Sequence, residues 1–398
     1  MIIESTFAKK AKIIYFLMIS SLVPLVRLQL ISNATLFDFI NVAFIILFLA
    51  YFFMSGEVQI PLLIPISVIL IGSLFSMFNA QVPLQNSLAL IVDMYLFIFF
   101  IVSYNIIVTK RDLKIFILFW LIFAALHGCF MLGDFLVSIS KRSTGTFLNP
   151  NMASSYIGLS FFLLFQPYVK ISKFLTSLFG IFILGGMLAT KSLAGLMGFF
   201  FVIVVVMILY WYRLGNLSTI KLITIILIIV LAGLVIYPKV AKIPSFFGRF
   251  QETLYARISI LKSAMNTFIK NPLGAGIGPA GFREVGPKVE VAKNRFMNIE
   301  LHNDWLSFLV ERGIFGFLGL VLLIWAIAKM LLETSKYVNS QQEVLWIIGL
   351  CGMFFFTLCF SLTHEVLHFR HVWCSFVLIA VEYKLRKKNQ DERRSACN

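Results

Sequence analysis

His302, Asn303 and Asp304 stand at the mouth of a segment, LHNDWLSFLVERGIFGFLGL, that is otherwise almost wholly apolar. An imidazole with an unperturbed pKa of about 6.5 can take a proton from a hydroxyl at neutral pH. Asn303 is expected to cap a helix beginning at Asp304, whose carboxylate suits the positive helix end. That leaves His302 just outside the helix, with Glu300 and Asp304 near enough in sequence to orient it. Gly313, Gly316 and Gly319, spaced by three, predict a bare helix face that lets another helix approach closely.

Upstream, QETLYARISILKSAMNTFIKNP places Leu254, Ile258, Leu261, Met265 and Phe268 at alternating steps of four and three. The spacing predicts an amphipathic helix lying on the membrane surface or packing on the spans, ended by Pro272. Arg257 lies on its flank, where a guanidinium either holds a phosphate through paired charge-assisted hydrogen bonds or snorkels at the surface. The following NPLGAGIGPAGF lacks the strand before it and the Lys-Ser/Thr after it that a phosphate-cradling loop needs. It reads as tight turns that bring backbone close to a ligand or a neighbouring helix.

These residues need a scaffold, and composition says which kind. The chain is 60% hydrophobic over 398 residues, with 43 Phe and a mean hydropathy of +0.93, far above soluble domains. We read a single all-α integral membrane domain over 1–398. About twelve transmembrane helices are expected, near 13–30, 38–54, 59–79, 87–108, 115–137, 152–168, 172–190, 193–212, 219–237, 305–328, 344–362 and 371–383. Lysines and arginines in the short connections, and the basic tail at 384–398, then fall on one side, which makes both termini cytoplasmic. The first apolar stretch reads as a retained span without a cleavage site.

The large hydrophilic loop at 238–303 faces the other way, and it carries ten basic residues against four acidic ones. Long loops cross regardless of charge, so the excess points to an anionic partner, either lipid headgroups or a substrate. No nucleic-acid partner is expected. Cys129, Cys351, Cys359 and Cys374 fall in spans as apolar packers, and Cys397 is a free thiol in the tail.

His302-Asn303 followed by Gly313-Ile314-Phe315-Gly316 resembles the signature of the O-antigen ligase and O-antigen polymerase superfamily of bacterial membrane glycosyltransferases. ARISILKSAMNTFIKNPLGAGIGPAGF and RSTGTFLNPNMASS, the latter from Arg142 to Ser155, look like two further elements of that family, so the resemblance spans 142 to about 320. It implies a GT-C type fold in the bacterial inner membrane and a periplasmic active site. It also implies a glycan donor on an undecaprenyl-diphosphate carrier and no cofactor. On this resemblance His302 is the general base, and Arg257, helped by Arg142, neutralises the diphosphate. Many relatives carry an Arg at the end of the seventh span, where ATKSLAGL has Leu193; Lys191 stands in for that charge. The acceptor is lipid A-core for a ligase, or another lipid-linked glycan for a polymerase; the ligase label is preferred. No Asp-x-Asp metal clamp occurs.

Two rival readings carry residues of their own. HEVLHFRH contains His364-Glu365-x-x-His368, the zinc protease pattern, with His371 close behind. Its placement in a short connection before the last span favours a structural or acceptor-binding role. A carrier for the lipid-linked glycan would need a charged central cavity, for which Asp93, Asp134 and His127 are the candidates.

Overall fold

In apolar surroundings a segment must satisfy its backbone polar groups internally, so the greasy runs of this chain fold as helices. The computed structural model describes residues 6–26, 29–31, 34–55, 58–138, 142–214, 246–277, 289–292, 295–297, 301–338 and 340–397. The expected span at 219–237, much of the loop at 238–303 and Glu300 lie outside these residues.

The helices are α1 (Thr6–Leu22), α2 (Leu36–Ser55), α3 (Leu63–Ser76), α4 (Pro83–Ile106), α5 (Lys110–Val137), α6 (Pro150–Phe162), α7 (Lys173–Thr190), α8 (Leu193–Leu214), α9 (Phe246–Lys270), α10 (Asp304–Glu311), α11 (Gly313–Ser335), α12 (Gln341–Ser361) and α13 (Arg370–Cys397). Their starts follow local rules. Thr109 and Asp112 form a reciprocal capping box at α5, Asn149 with Pro150 opens α6, and Ser172 and Ser340 cap α7 and α12. Two short antiparallel pairs add to the helical architecture, Gln29–Ile31 with Ala34–Thr35 and Val289–Ala292 with Arg295–Met297.

Among the described residues, six helices are long and apolar enough to cross a membrane: α4, α5, α7, α8, α11 and α12. Helices occupy the other expected spans that are described, but α3 and α6 have only 14 and 13 residues. The expected span at 305–328 is divided between α10 and α11, and α13 continues through the basic tail to Cys397.

Polar contacts between helices sort into two ends of the bundle. At one, Lys12 meets Asp112, Lys384 Nζ donates to the Tyr104 carbonyl at 2.7 Å, and Glu382 accepts from Tyr168 and Arg386. At the other, Thr146 donates to the Pro24 carbonyl, Asn79 to that of Gly274, and Arg370 pairs with Asp38. The basic connections collect at the first end, and His302 belongs to the second.

Helices α3 and α11 approach closely, and the contact is made by glycine. A Cβ on Gly72 would strike the backbone of Gly316 and lie 2.8 Å from the Arg312 carbonyl; one on Gly319 would lie 2.6 Å from Ile69 Cγ1. Of the bare face expected from Gly313, Gly316 and Gly319, the last two are thus used against α3, while Gly313 meets the backbone of residues 272–274. Gly72→Ala has no side chain to yield, only backbone, and overpacking of this kind costs about 1–3 kcal/mol. It should lower the thermal midpoint of the detergent-purified protein, whereas Gly133→Ala, facing open space on α5, should not.

Candidate active site

The site is built on the break between α10 and α11. Arg312 leaves the helical conformation (φ −105°, ψ 2°) and Gly313 takes φ +67°, a left-handed turn that suits glycine. The carbonyls freed by the break receive the glycine-rich turn. Ala275 N–H donates to the Val310 carbonyl at 2.9 Å and Gly276 N–H to that of Glu311 at 3.2 Å, while Ile314 N–H donates back to Pro272 at 3.0 Å. Gly274 and Gly276 have φ near +105° and pack against residues of α10, α3 and α4, so the expected close backbone approach is to helices.

The turn anchors α9, whose two faces divide between the bundle and the outside. Ile260 and Ala264 are buried with Leu301 and Val310, and Phe268 packs against them. Ile258, Leu261 and Met265 of the anticipated stripe are 47%, 46% and 37% exposed. The small-residue face meets the protein and the greasier one faces outward, where a bilayer would cover it. Arg257 shares the inward face, three residues before Ile260.

Asn303 caps α10 as expected, its Oδ1 accepting from Leu306 N–H at 3.1 Å, and its Nδ2 donates to the Leu362 carbonyl at 2.8 Å. Asp304 departs from expectation. Its carboxylate is fully buried and accepts from Val366 and Leu367 N–H at 2.9 and 3.3 Å, so it organises the 362–369 connection instead of bonding the His302 imidazole. Burial pushes its pKa up to about 7 against the opposing pull of His368 and those two bonds.

His302 itself has φ +51°, left-handed for a residue with a side chain. Both of its backbone polar groups are held by side chains. Its N–H donates to Glu365 Oε1 at 3.0 Å, and its carbonyl accepts from Arg257 Nη1 at 2.5 Å while Nη2 donates to the Thr363 carbonyl at 2.6 Å. The exposed imidazole lies edge-on to His364, ring centroids 6.1 Å apart. Burial, and then the charges of Arg257, His302 and Arg142, draw the His364 pKa down to about 3, so that ring is a neutral neighbour. Burial also lowers the Arg257 pKa, an effect Glu365 opposes.

Below this layer runs a chain of charges that the sequence reading did not assemble. Glu365 Oε2 lies 3.5 Å from His368 Nε2, and His368 Nδ1 lies 4.0 Å from Asp93 Oδ1. Asp93 Oδ2 accepts from Arg312 Nε and Nη2 at 3.2 and 2.6 Å. Arg312 is fully buried, stacked 4.4 Å from the Phe308 ring centroid, with Glu311 4.0 Å away. Burial disfavours the His368 cation, but Glu365 and Asp93 outweigh it and raise the pKa to about 9. Burial likewise works against the Glu365 carboxylate, and His368 reverses the balance and lowers its pKa. Arg312 and Asp93 are separated by 219 residues, a pairing no local pattern reveals; Asp93 had entered only as a carrier candidate.

The zinc protease reading fails on geometry. Residues 363–369 form turns between α12 and α13, not a helix, and the imidazoles of His364 and His368 face different partners. Among the described residues no group of three His, Cys, Asp or Glu is arranged to hold a metal. His371 is buried with Nε2 3.1 Å from Ser155 Oγ, and His127 Nδ1 lies 3.2 Å from Thr146 Oγ1.

Arg142 docks on the α7–α8 corner, its Nε on the Thr190 carbonyl at 3.2 Å and its Nη2 on Asn151 Oδ1 at 3.0 Å. Lys191 occupies the same corner in a left-handed conformation (φ +49°), with Nζ 5.3 Å from the Phe135 ring centroid. Arg142 reaches the imidazole cluster through its field on His364, and Lys191 follows Thr190, whose carbonyl Arg142 holds.

Residues 178–321 match the family model described as O-Antigen ligase. Over that segment the match supports the O-antigen ligase and polymerase superfamily that the sequence resembles. No curated protein matches the chain. The matched segment carries Lys191, Arg257, His302 and the α10–α11 break, and it ends before Glu365 and His368, which come from outside it. Members of this superfamily are glycosyltransferase-like enzymes that handle lipid-linked glycans.

The His368 shift has a signed consequence for stability. A histidine whose folded pKa is raised to about 9 contributes stability that is complete below its unfolded pKa of about 6.5. That contribution is lost as pH rises through the folded value. The thermal midpoint of the wild type should therefore fall between pH 6.5 and 9 relative to His368→Gln, measured in the same detergent; parallel curves would contradict the pairing.

Proposed function

We propose that this chain transfers a glycan from an undecaprenyl-diphosphate carrier to an acceptor hydroxyl, as an O-antigen ligase does. The site would face the periplasm from the bacterial inner membrane, in a GT-C type scaffold of about twelve spans. The observation that carries the reading is the exposed His302 imidazole, fixed through its backbone beside Arg257, in a segment matching that family.

His302 accepts the proton of the acceptor hydroxyl as its oxygen bonds to the anomeric carbon. The bond from that carbon to the diphosphate oxygen breaks, and its electron pair leaves with the diphosphate. Negative charge therefore grows where guanidinium groups can face it, and preorganised donors stabilise it without reorganising. Arg257 has spent two N–H groups on carbonyls, leaving others of its five donors for phosphate oxygens. Arg142 and Lys191 supply charge from the neighbouring corner. In this scheme fixed cations do the work of a divalent clamp. Lipid A-core is the proposed acceptor; a polymerase would run the same chemistry with a second lipid-linked glycan.

A general base contributes about 10²–10⁴-fold. His302→Ala and His302→Gly should both lose that much transfer in cells lacking the native enzyme, at unchanged protein abundance. The glycine variant fits the left-handed backbone without strain, so its failure isolates the imidazole. Surface glycan run on a gel reads the result. Accumulated long carrier-linked chains would identify a ligase and single repeats a polymerase, whereas a normal profile from both variants would sink the assignment.

A further inference from the structure

The matched family segment ends at 321, yet the backbone of His302 is held from the 363–369 connection. A left-handed residue with a side chain is costly and persists where its surroundings over-determine it. Here the determinants are two charged side chains acting on one peptide unit each. Arg257 takes the carbonyl of His302 and Glu365 takes its N–H.

We propose that Glu365 is a positioning residue for glycan transfer, fixing the direction of the His302 imidazole through the N–H bond and tying it to the buried Asp93–Arg312 pair by way of His368. The inference rests on His302 being the base. Its support is geometric. Glu365 Oε1 accepts from His302 N–H at 3.0 Å, and the second oxygen lies 3.5 Å from His368. His368 is in turn 4.0 Å from Asp93, which Arg312 holds at 2.6 Å. The acceptor is an ionised carboxylate, held so by His368 against the effect of burial, and a bond to a charged acceptor is stronger than one between neutral groups. The line also passes from the connection to α4 and to the α10–α11 break, which a residue serving only the local turn has no need of. Glu365 does not touch the acceptor or the donor; its effect runs through His302. The His364-Glu365-x-x-His368 pattern therefore has a use other than metal binding.

The test is a double-mutant cycle on the full-length protein in detergent or nanodiscs, with lipid-linked glycan as donor. Misplacing a catalytic group by about 1 Å costs up to about 10²-fold. Glu365→Ala should therefore lower kcat by about 10–100-fold, with donor KM within about twofold of wild type. Glu365→Gln, which keeps an oxygen for the N–H, should recover most of that loss. On the residual turnover of His302→Gly, Glu365→Ala should cost nothing further, because a group that acts through His302 has nothing left to position. Should Glu365→Ala not insert, Glu365→Asp, whose oxygen falls short of the N–H, replaces it in the cycle.

Full kcat in Glu365→Ala, or equal fold losses with and without the imidazole, would overturn the proposal. A loss tracking a lowered thermal midpoint, unrelieved by Glu365→Gln, would do the same by showing a merely structural role. His302→Gly with normal transfer would defeat the functional reading itself, while inactive His302→Gly beside fully active Glu365→Ala defeats the positioning role alone.

Discussion

A buried arginine sets the terms for this molecule. Arg312 sits in an apolar bundle where an unpaired charge is prohibitive, so the chain must bring it a carboxylate and must break a helix to let it turn inward. Asp93 from the middle of α4 answers the first demand, and Gly313 in a left-handed turn answers the second. The break frees carbonyls, the carbonyls recruit the glycine-rich turn, and the turn carries α9 with Arg257. Each step satisfies groups exposed by the one before. The site is the last consequence of accommodating that charge.

The imidazole proposed as the base belongs to no regular element, yet it is not loosely held. Its position is defined by the cap of α10, by two side chains on its own peptide groups, and by a neutral histidine beside it. Capping gives direction and the charged contacts give register. Only the ring faces outward, which is where an acceptor hydroxyl would arrive.

What was legible in the sequence was local. Asn303 as a cap, the stop at Pro272, the close contact of Gly316 and Gly319 and the nearness of turn backbone to a helix all follow from rules spanning a few residues, and the described helices follow the apolar runs. Pairings across the bundle were not legible. Asp93 and Arg312 carry no pattern that links them, and Arg312 was swallowed by an expected span that is in fact two helices. Which of the two expected placements α9 takes was not legible, because hydrophobic spacing marks what avoids water, and in a membrane that includes the face turned away from the protein. HExxH was expected in a short connection and folds there as turns, but the hold of Asp304 on its backbone donors at Val366 and Leu367 was not legible.

The outward face of α9 gives the site a second ruler. In a bilayer, Ile258, Leu261 and Met265 would set the height of that helix by the depth of hydrocarbon they find, whereas Asp93 and Arg312 set the height of the α10–α11 break from inside the bundle. Arg257 spans the two, with one guanidinium edge on the carbonyl of His302. Where bilayer thickness and bundle height disagree, the mismatch would fall on that bond, and the acyl-chain length of the surrounding lipid would become a variable of the proposed transfer.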